Sequence, residues 1–229
     1  MDAPLRLDAL VAPLRADVVS GAAVVARMAA EVVRRAAGRV PADSVPQLRT
    51  ALAELGILTL DAQPAMAPLV ALVREVLDAI DGASDVDSGR ESARKACDAF
   101  RQGLETRAQV VASRASGLLP EQGDILTLSS SSTVRGTLLH HAQRRQGRVI
   151  VLESRPMQEG QMLAAALAKV GVPVLFAVDA AAATLVRECA AVILGADSVG
   201  DLGVVNKLGS LGVAQAANEG HVPVLVATD

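Results

Sequence analysis

The sequence predicts an α/β protein in two parts, a helical amino-terminal domain over residues 1–117 and a parallel-sheet domain over 118–229. Three observations carry this expectation. Apolar residues recur at helical spacing before residues 117–123 and cease to do so afterwards. Five short apolar runs follow, each continuous, as in strands covered on both faces of a parallel sheet. Alanine-rich segments of helical character separate them, so the runs join as βαβ units in a Rossmann-like order.

In the first part, Val25, Met28, Ala29, Val32, Val33 and Ala36 form one stripe after Ser20 and Gly21, and Gly38 and Pro41 end that helix. Further helices fit residues 44–55, 65–80 and 88–116, with Asp81-Gly82 and Ser88-Gly89 punctuating the gap between the last two. The charges between Arg90 and Arg107 read as a solvated helix face. In the second part the strands fit residues 124–128, 148–152, 173–178, 191–195 and 222–227. Polar groups stand just after them. Ser129 to Ser132 and Thr133 follow the first strand, and Glu153, Ser154 and Arg155 the second. Asp179 follows the third, Asp197 and Ser198 the fourth, and Thr228 and Asp229 the fifth. Strand-to-helix loops of a parallel sheet share one edge, so these groups converge whatever the strand order.

Composition removes several function classes. Hydrophobic residues make up 51% and charged residues 21%, which fits a packed globule rather than a disordered chain. The aromatic share is 1%, too little for base-stacking platforms, and the net charge of −3 offers no basic footprint, so no direct nucleic-acid partner is expected. Cys97 and Cys189 lack metal-type spacing and read as small buried hydrophobes. His140, His141 and His221 have no acidic or thiol partners in ligand spacing, so no metal site is expected. The amino terminus, with Asp2, Arg6 and Asp8, lacks a basic region followed by an apolar core, so no signal peptide is expected there. The apolar region 162–186 is broken by Lys169, Pro173 and Asp179, so no membrane span is expected and a cytoplasmic location follows by default.

The candidate chemistry lies at the convergent edge. Serines 129–132 open a helix, where hydroxyls and free backbone N–H groups form a plausible phosphate cradle; capping of the helix explains them equally well. Arg155, fixed by Pro156, offers a planar fork to a phosphate or carboxylate, with an ion pair to Glu153 or Glu159 as the alternative. Asp197 ends an apolar run and is placed to orient sugar hydroxyls or move a proton. Asn206 and Lys207 are expected at a helix start, with Lys207 a phosphate partner, an ion-pair mate of Asp197, or both.

The blocks I-L-T-L-S-S-S-S, E-S-R-P-M-Q-E-G and G-A-D-S-V…N-K-L-G-S occur in that order. Together they resemble the initiation factor 2B α/β/δ superfamily, strongly over residues 123–229 and more faintly in the helical half. That superfamily contains regulatory subunits of a translation-initiation nucleotide-exchange factor. It also contains isomerases of methylthioribose-1-phosphate and ribose-1,5-bisphosphate. The resemblance assigns Asp197 as the catalytic aspartate, Arg155 as the arginine of the second block, and Asn206 and Lys207 as ligand contacts. Ser130 and Ser131, from the serine cradle read above, are expected to bind the ligand beside them. The resemblance also implies a homodimer or higher oligomer and no cofactor.

Two positions depart from it. Ser129 stands at the family's cysteine, and Ser20 at the arginine of an early R-G-A motif. A serine hydroxyl is far less acidic than a thiol, and a lost arginine weakens phosphate capture. The chain also stops at Thr228-Asp229, where family members run on, so the second domain is either short or cut. The leading expectation is therefore a regulatory protein with a degenerate isomerase site that binds a phosphorylated sugar or nucleoside monophosphate. The alternative is an aldose–ketose isomerase of a ribose phosphate, with Ser129 or a water replacing the thiol. An interface subunit with a relic pocket is the third.

Overall fold

The computed structural model describes residues 6–144 and 146–228, so Asp2 and Asp229 lie outside the described residues. Contacts divide the chain into two compact units, one ending at Glu105 and one beginning at Thr106. That division falls earlier than the change of character at residues 117–123. The reason is physical: the last turns of a long helix, α5 (Val86–Ser116), pack with the sheet's helices. Ala115 is buried in that core, and Ala112 lies so close to Gly136 that a Cβ there would sit 3.2 Å from its methyl.

The first unit is helical. It contains α1 (Leu7–Ala16), α2 (Ala22–Ala37), α3 (Val45–Ala62), α4 (Pro68–Ile80) and the first part of α5. Val25, Ala29, Val33 and Ala36 of the expected stripe are buried, whereas Met28 and Val32 flank the core. Leu48, Leu52 and Leu55 of α3 and Leu69, Leu72 and Val76 of α4 complete it. Two helices begin earlier or end later than their periodicity suggests. α3 starts behind the Ser44 cap as expected but continues to Ala62. α5 begins at Val86, because Asp85 and Ser88 cap it reciprocally: Ser88 N–H donates to Asp85 Oδ1 at 2.8 Å and Asp85 N–H to Ser88 Oγ at 3.1 Å.

In the second unit, the described residues form a parallel sheet in the order β3-β2-β1-β4-β7. Its strands are β1 (Ile125–Leu128), β2 (Val149–Leu152), β3 (Val174–Ala177), β4 (Ala191–Leu194) and β7 (Val224–Val226). A separate antiparallel ribbon pairs β5 (Ser198–Gly200) with β6 (Gly203–Val205). Between strands lie α6 (Ser132–Ala142), α7 (Glu159–Lys169), α8 (Ala182–Val186) and α9 (Ser210–Glu219). Strands β1, β2 and β4 are buried throughout, as their apolar runs require. β3 and β7 depart from that expectation. They are the sheet's edges, and Phe176, Val224 and Val226 remain partly exposed.

Alternate residues of the central strands feed two cores. Ile125, Val149, Val151 and Ile193 meet α6 and α7 through Val134, Leu138, Leu163 and Leu167. Leu126, Leu128, Ile150, Leu152, Val192 and Leu194 meet α8 and α9 through Val186, Val213 and Ala217. Helices thus cover both faces, the doubly wound arrangement. His141 ties the end of α5 to α6, its ring nitrogens 3.1 Å from Ser116 O and 3.0 Å from Pro120 O. Cys97 and Cys189 are buried, and burial pushes their thiols up to about 12 and about 11, which makes poor nucleophiles of both. No described helix is long and apolar enough to cross a membrane.

Candidate functional site

The strand order points to a candidate site. From β1 the chain winds outward through β2 to β3; it then returns to the other side of β1 as β4 and continues to β7. The direction of winding reverses between β1 and β4, and open α/β sheets bind ligands in the crevice beyond the carboxyl ends of such a pair. Here that crevice lies between Ser129 to Ser131, after β1, and Gly195 to Asp197, after β4. The two loops touch. A Cβ on Gly195 would come within 2.8 Å of Ser131 Cβ and 2.9 Å of its Oγ, so only glycine lets them approach this closely.

On the β1 side, Ser131 caps α6, its Oγ accepting the Val134 N–H at 3.3 Å. The structure thus realises the capping reading, and Ser130 stands half-buried on the same loop. Ser129 is held in the left-handed region, φ 68°, and its N–H donates to Ser154 Oγ at 2.5 Å. Ser154 is itself left-handed, φ 66°, and fully buried. Non-glycine residues in this region each cost on the order of 1–3 kcal/mol, so two of them side by side mark an edge built against local preference.

On the β4 side, Asp197 is half-buried and begins the ribbon, its N–H donating to Val205 O at 2.8 Å. Burial raises its carboxyl above the ordinary carboxylate range, while the positive charge of nearby Lys207 pulls it back down. The ribbon returns the chain to Asn206 and Lys207. These residues precede a helix rather than open it: α9 begins at Ser210, because Gly209 adopts φ 99° and breaks the helical path. Asn206 Nδ2 donates to Ser210 Oγ at 2.9 Å, and that hydroxyl donates to Lys207 O at 2.6 Å, which ties the loop to the helix.

Lys207 pairs with Glu159 and not with Asp197. Its Nζ lies 2.5 Å from Glu159 Oε1, with side-chain exposures of 17% and 3%. The second oxygen, Glu159 Oε2, is buried and takes no hydrogen bond among the described residues. Glu159 opens α7, and the next residue, Gly160, lets the helix pack against the end of β2, because a Cβ there would collide with the Leu152 carbonyl. The residue type and a single position could not reveal this pair, since its members stand 48 residues apart.

Arg155 is exposed on the loop after β2. Among the described residues it forms no ion pair with Glu153 or Glu159 and no side-chain hydrogen bond to Asp197 or Lys207. Ser20 belongs to the helical unit, where its N–H donates to Asp17 Oδ1 at 2.9 Å. Among the described residues no three His, Cys, Asp or Glu side chains gather as a metal site.

This geometry can be set beside known proteins. The ribose 1,5-bisphosphate isomerase of Haloferax volcanii is 30% identical over 212 residues, covering 91% of this chain and 65% of the relative. The enzyme of the same name from Haloterrigena turkmenica is 31% identical over 212 residues, covering 91% and 64%. The chain therefore spans about two thirds of the length of these curated relatives. The crystal structure of translation initiation factor eIF-2B from Pyrococcus horikoshii superimposes with a TM-score of 0.87 at 28% identity, covering 99% of this chain and 79% of that one. The 5-methylthioribose 1-phosphate isomerase of the same organism shares the fold, with a TM-score of 0.75 at 18% identity over 98% of this chain and 68% of that one. The family model for the initiation factor 2 subunit family matches residues 18–229, and the chain belongs to that family.

Proposed function

We propose that the β1–β4 crevice binds a phosphorylated pentose and that the protein isomerises it from aldose to ketose, with Asp197 carrying the proton. The observation that carries this reading is Asp197 itself, a carboxyl at the switch point whose burial raises it toward the working range of a general acid–base group. Such an isomerisation moves hydrogen from C2 to C1, oxidising C2 to a ketone as C1 is reduced. The formula is unchanged, so no external oxidant enters. Ser130, Ser131 and the α6 amino terminus supply donors to a phosphate, and the Arg155 fork adds a mobile one. Asn206 and Lys207 face the sugar from the ribbon side. The names of the relatives above favour an isomerase over a purely regulatory protein.

One observation favours the regulatory reading: Ser129 stands where the resemblance places a catalytic cysteine, and its hydroxyl is a weaker acid than a thiol. In the isomerase reading Ser129 or a water takes that part, so the rate is limited there. An NMR assay of ribose 1,5-bisphosphate conversion separates the two. Turnover by the wild-type protein, increased in Ser129→Cys, is expected. Binding without turnover in both would install the regulator instead.

The protein is further proposed to act as a homodimer or larger assembly. Leu202, Leu208 and Leu211 are large apolar side chains exposed on and beside the ribbon, the kind of patch that marks an interface. Light scattering at micromolar concentration should give a mass of at least twice 23.5 kDa, and a pure monomer would contradict this.

A further inference from the structure

We propose that Asp179 is a positioning residue that sets the phosphate-binding edge of the site through a hydrogen-bonded relay across three loops. This rests on the sugar-phosphate reading above. Asp179 follows β3, an edge strand one removed from β1. Its carboxylate accepts two consecutive backbone N–H groups of the neighbouring loop, Ser154 N–H on Oδ1 at 2.8 Å and Arg155 N–H on Oδ2 at 2.7 Å. The buried Ser154 hydroxyl then accepts the Ser129 N–H and donates to Leu152 O at 3.1 Å. One carboxylate thus fixes the second loop, and that loop's hydroxyl fixes the first.

The chemistry of the links explains why an aspartate stands there. Ser129 and Ser154 are both held at positive φ, a conformation that serine does not adopt without support. Two charge-assisted bonds from one carboxylate give that support. The same bonds occupy Asp179 with backbone donors, so it holds Arg155 in place without neutralising its guanidinium. Arg155 keeps its charge for an anion, while its backbone is fixed. An asparagine of the same size cannot do this, because its amide nitrogen would face one N–H donor with another.

The test uses the full chain. Amide hydrogen exchange followed by NMR is combined with calorimetric titration of ribose 1,5-bisphosphate and of inorganic phosphate, for wild type, Asp179→Asn and Ser154→Ala. Asp179→Asn should speed exchange at Ser154, Arg155 and Ser129 by roughly tenfold or more and weaken binding of both probes by roughly tenfold, as the loss of a charge-assisted bond implies. Ser154→Ala should speed exchange at Ser129 while sparing Arg155, which tests the second link even where the first variant fails to fold. Where turnover is measurable, Asp179→Asn should raise KM and leave the pH profile unmoved, because it does not touch Asp197. Unchanged exchange at Ser129, or unchanged affinity beside a wild type that binds, overturns the relay. A wild type that binds neither probe overturns the sugar-phosphate reading and the proposal resting on it.

Discussion

The two edges of one sheet treat the same kind of ion pair in opposite ways. At the amino edge, before β1 and β2, Arg148 meets Asp124 at 2.7 Å with side-chain exposures of 53% and 17%. At the carboxyl edge, Lys207 meets Glu159 with exposures of 17% and 3%, and one carboxylate oxygen is left without a hydrogen bond among the described residues. The first pair keeps its arginine in water and is geometrically satisfied, the guanidinium donating twice to one carboxylate oxygen. The second has given up hydration that its partner only partly restores. Asp197, raised by burial, and the positive φ of Ser129 and Ser154 lie at this same carboxyl edge. Most of these unfavourable features gather at the carboxyl edge, although His221, just before β7, is also left-handed at φ 55°; their clustering supports placing the proposed site at the carboxyl edge.

The comparison predicts its own largest effect. Glu159→Ala leaves the half-buried Lys207 unpaired and should destabilise the protein by about 3 kcal/mol, more than Asp124→Ala, whose partner Arg148 stays in water. Urea unfolding of both variants decides this, and equal losses would remove the distinction between the edges. Adding Lys207→Met to Glu159→Leu should recover most of the loss, since the pair replaced together leaves no unpaired charge.

A smaller effect concerns the ligand. Arg155→Ala should weaken ribose 1,5-bisphosphate binding by about 1.5–3 kcal/mol while leaving stability almost unchanged, because the side chain is exposed. Calorimetry that found equal affinity would assign the phosphate to the α6 amino terminus alone.

The smallest effect is a pH dependence at Asp197. A carboxyl raised in the folded state adds stability below its unfolded pKa of about 3.9, and that contribution is lost as pH rises through the higher folded value. At neutral pH the ionised, half-buried carboxylate therefore costs stability. Asp197→Asn should raise the melting midpoint slightly near pH 7 and lose that advantage in acid. A lower midpoint at pH 7 would mean that Asp197 is a structural ion-pair partner instead.

Much of the framework was legible because buried parallel strands leave a local trace. The runs ending at Leu128, Leu152 and Leu194 are continuous and apolar, and the polar residues after them could only lie at one edge. Ser129, Arg155 and Asp197 were found in this way. The ribbon was not: Ser198 to Val205 pairs two three-residue strands in solvent, so it carries neither alternation nor a buried run and reads as an acidic loop. Helix α1 lies outside the expected helices, although Leu7, Leu10, Val11 and Leu14 recur at helical spacing. The Glu159–Lys207 pair and the Asp179 bonds were beyond reach. They join residues distant in sequence, and only the strand order brings these together. From the sequence, Lys207 is a phosphate partner, an ion-pair mate of Asp197, or both, whereas the structure pairs it with Glu159 across the sheet edge.

The most direct measurement of the central claim is the rate of ribose 1,5-bisphosphate isomerisation by the wild-type protein and by Asp197→Asn, followed by NMR at matched ligand occupancy. If Asp197 carries the proton from the switch-point crevice, the wild type turns over and the amide variant loses about 10²–10⁴-fold in kcat while still binding the sugar phosphate. Equal turnover by both proteins would contradict the account.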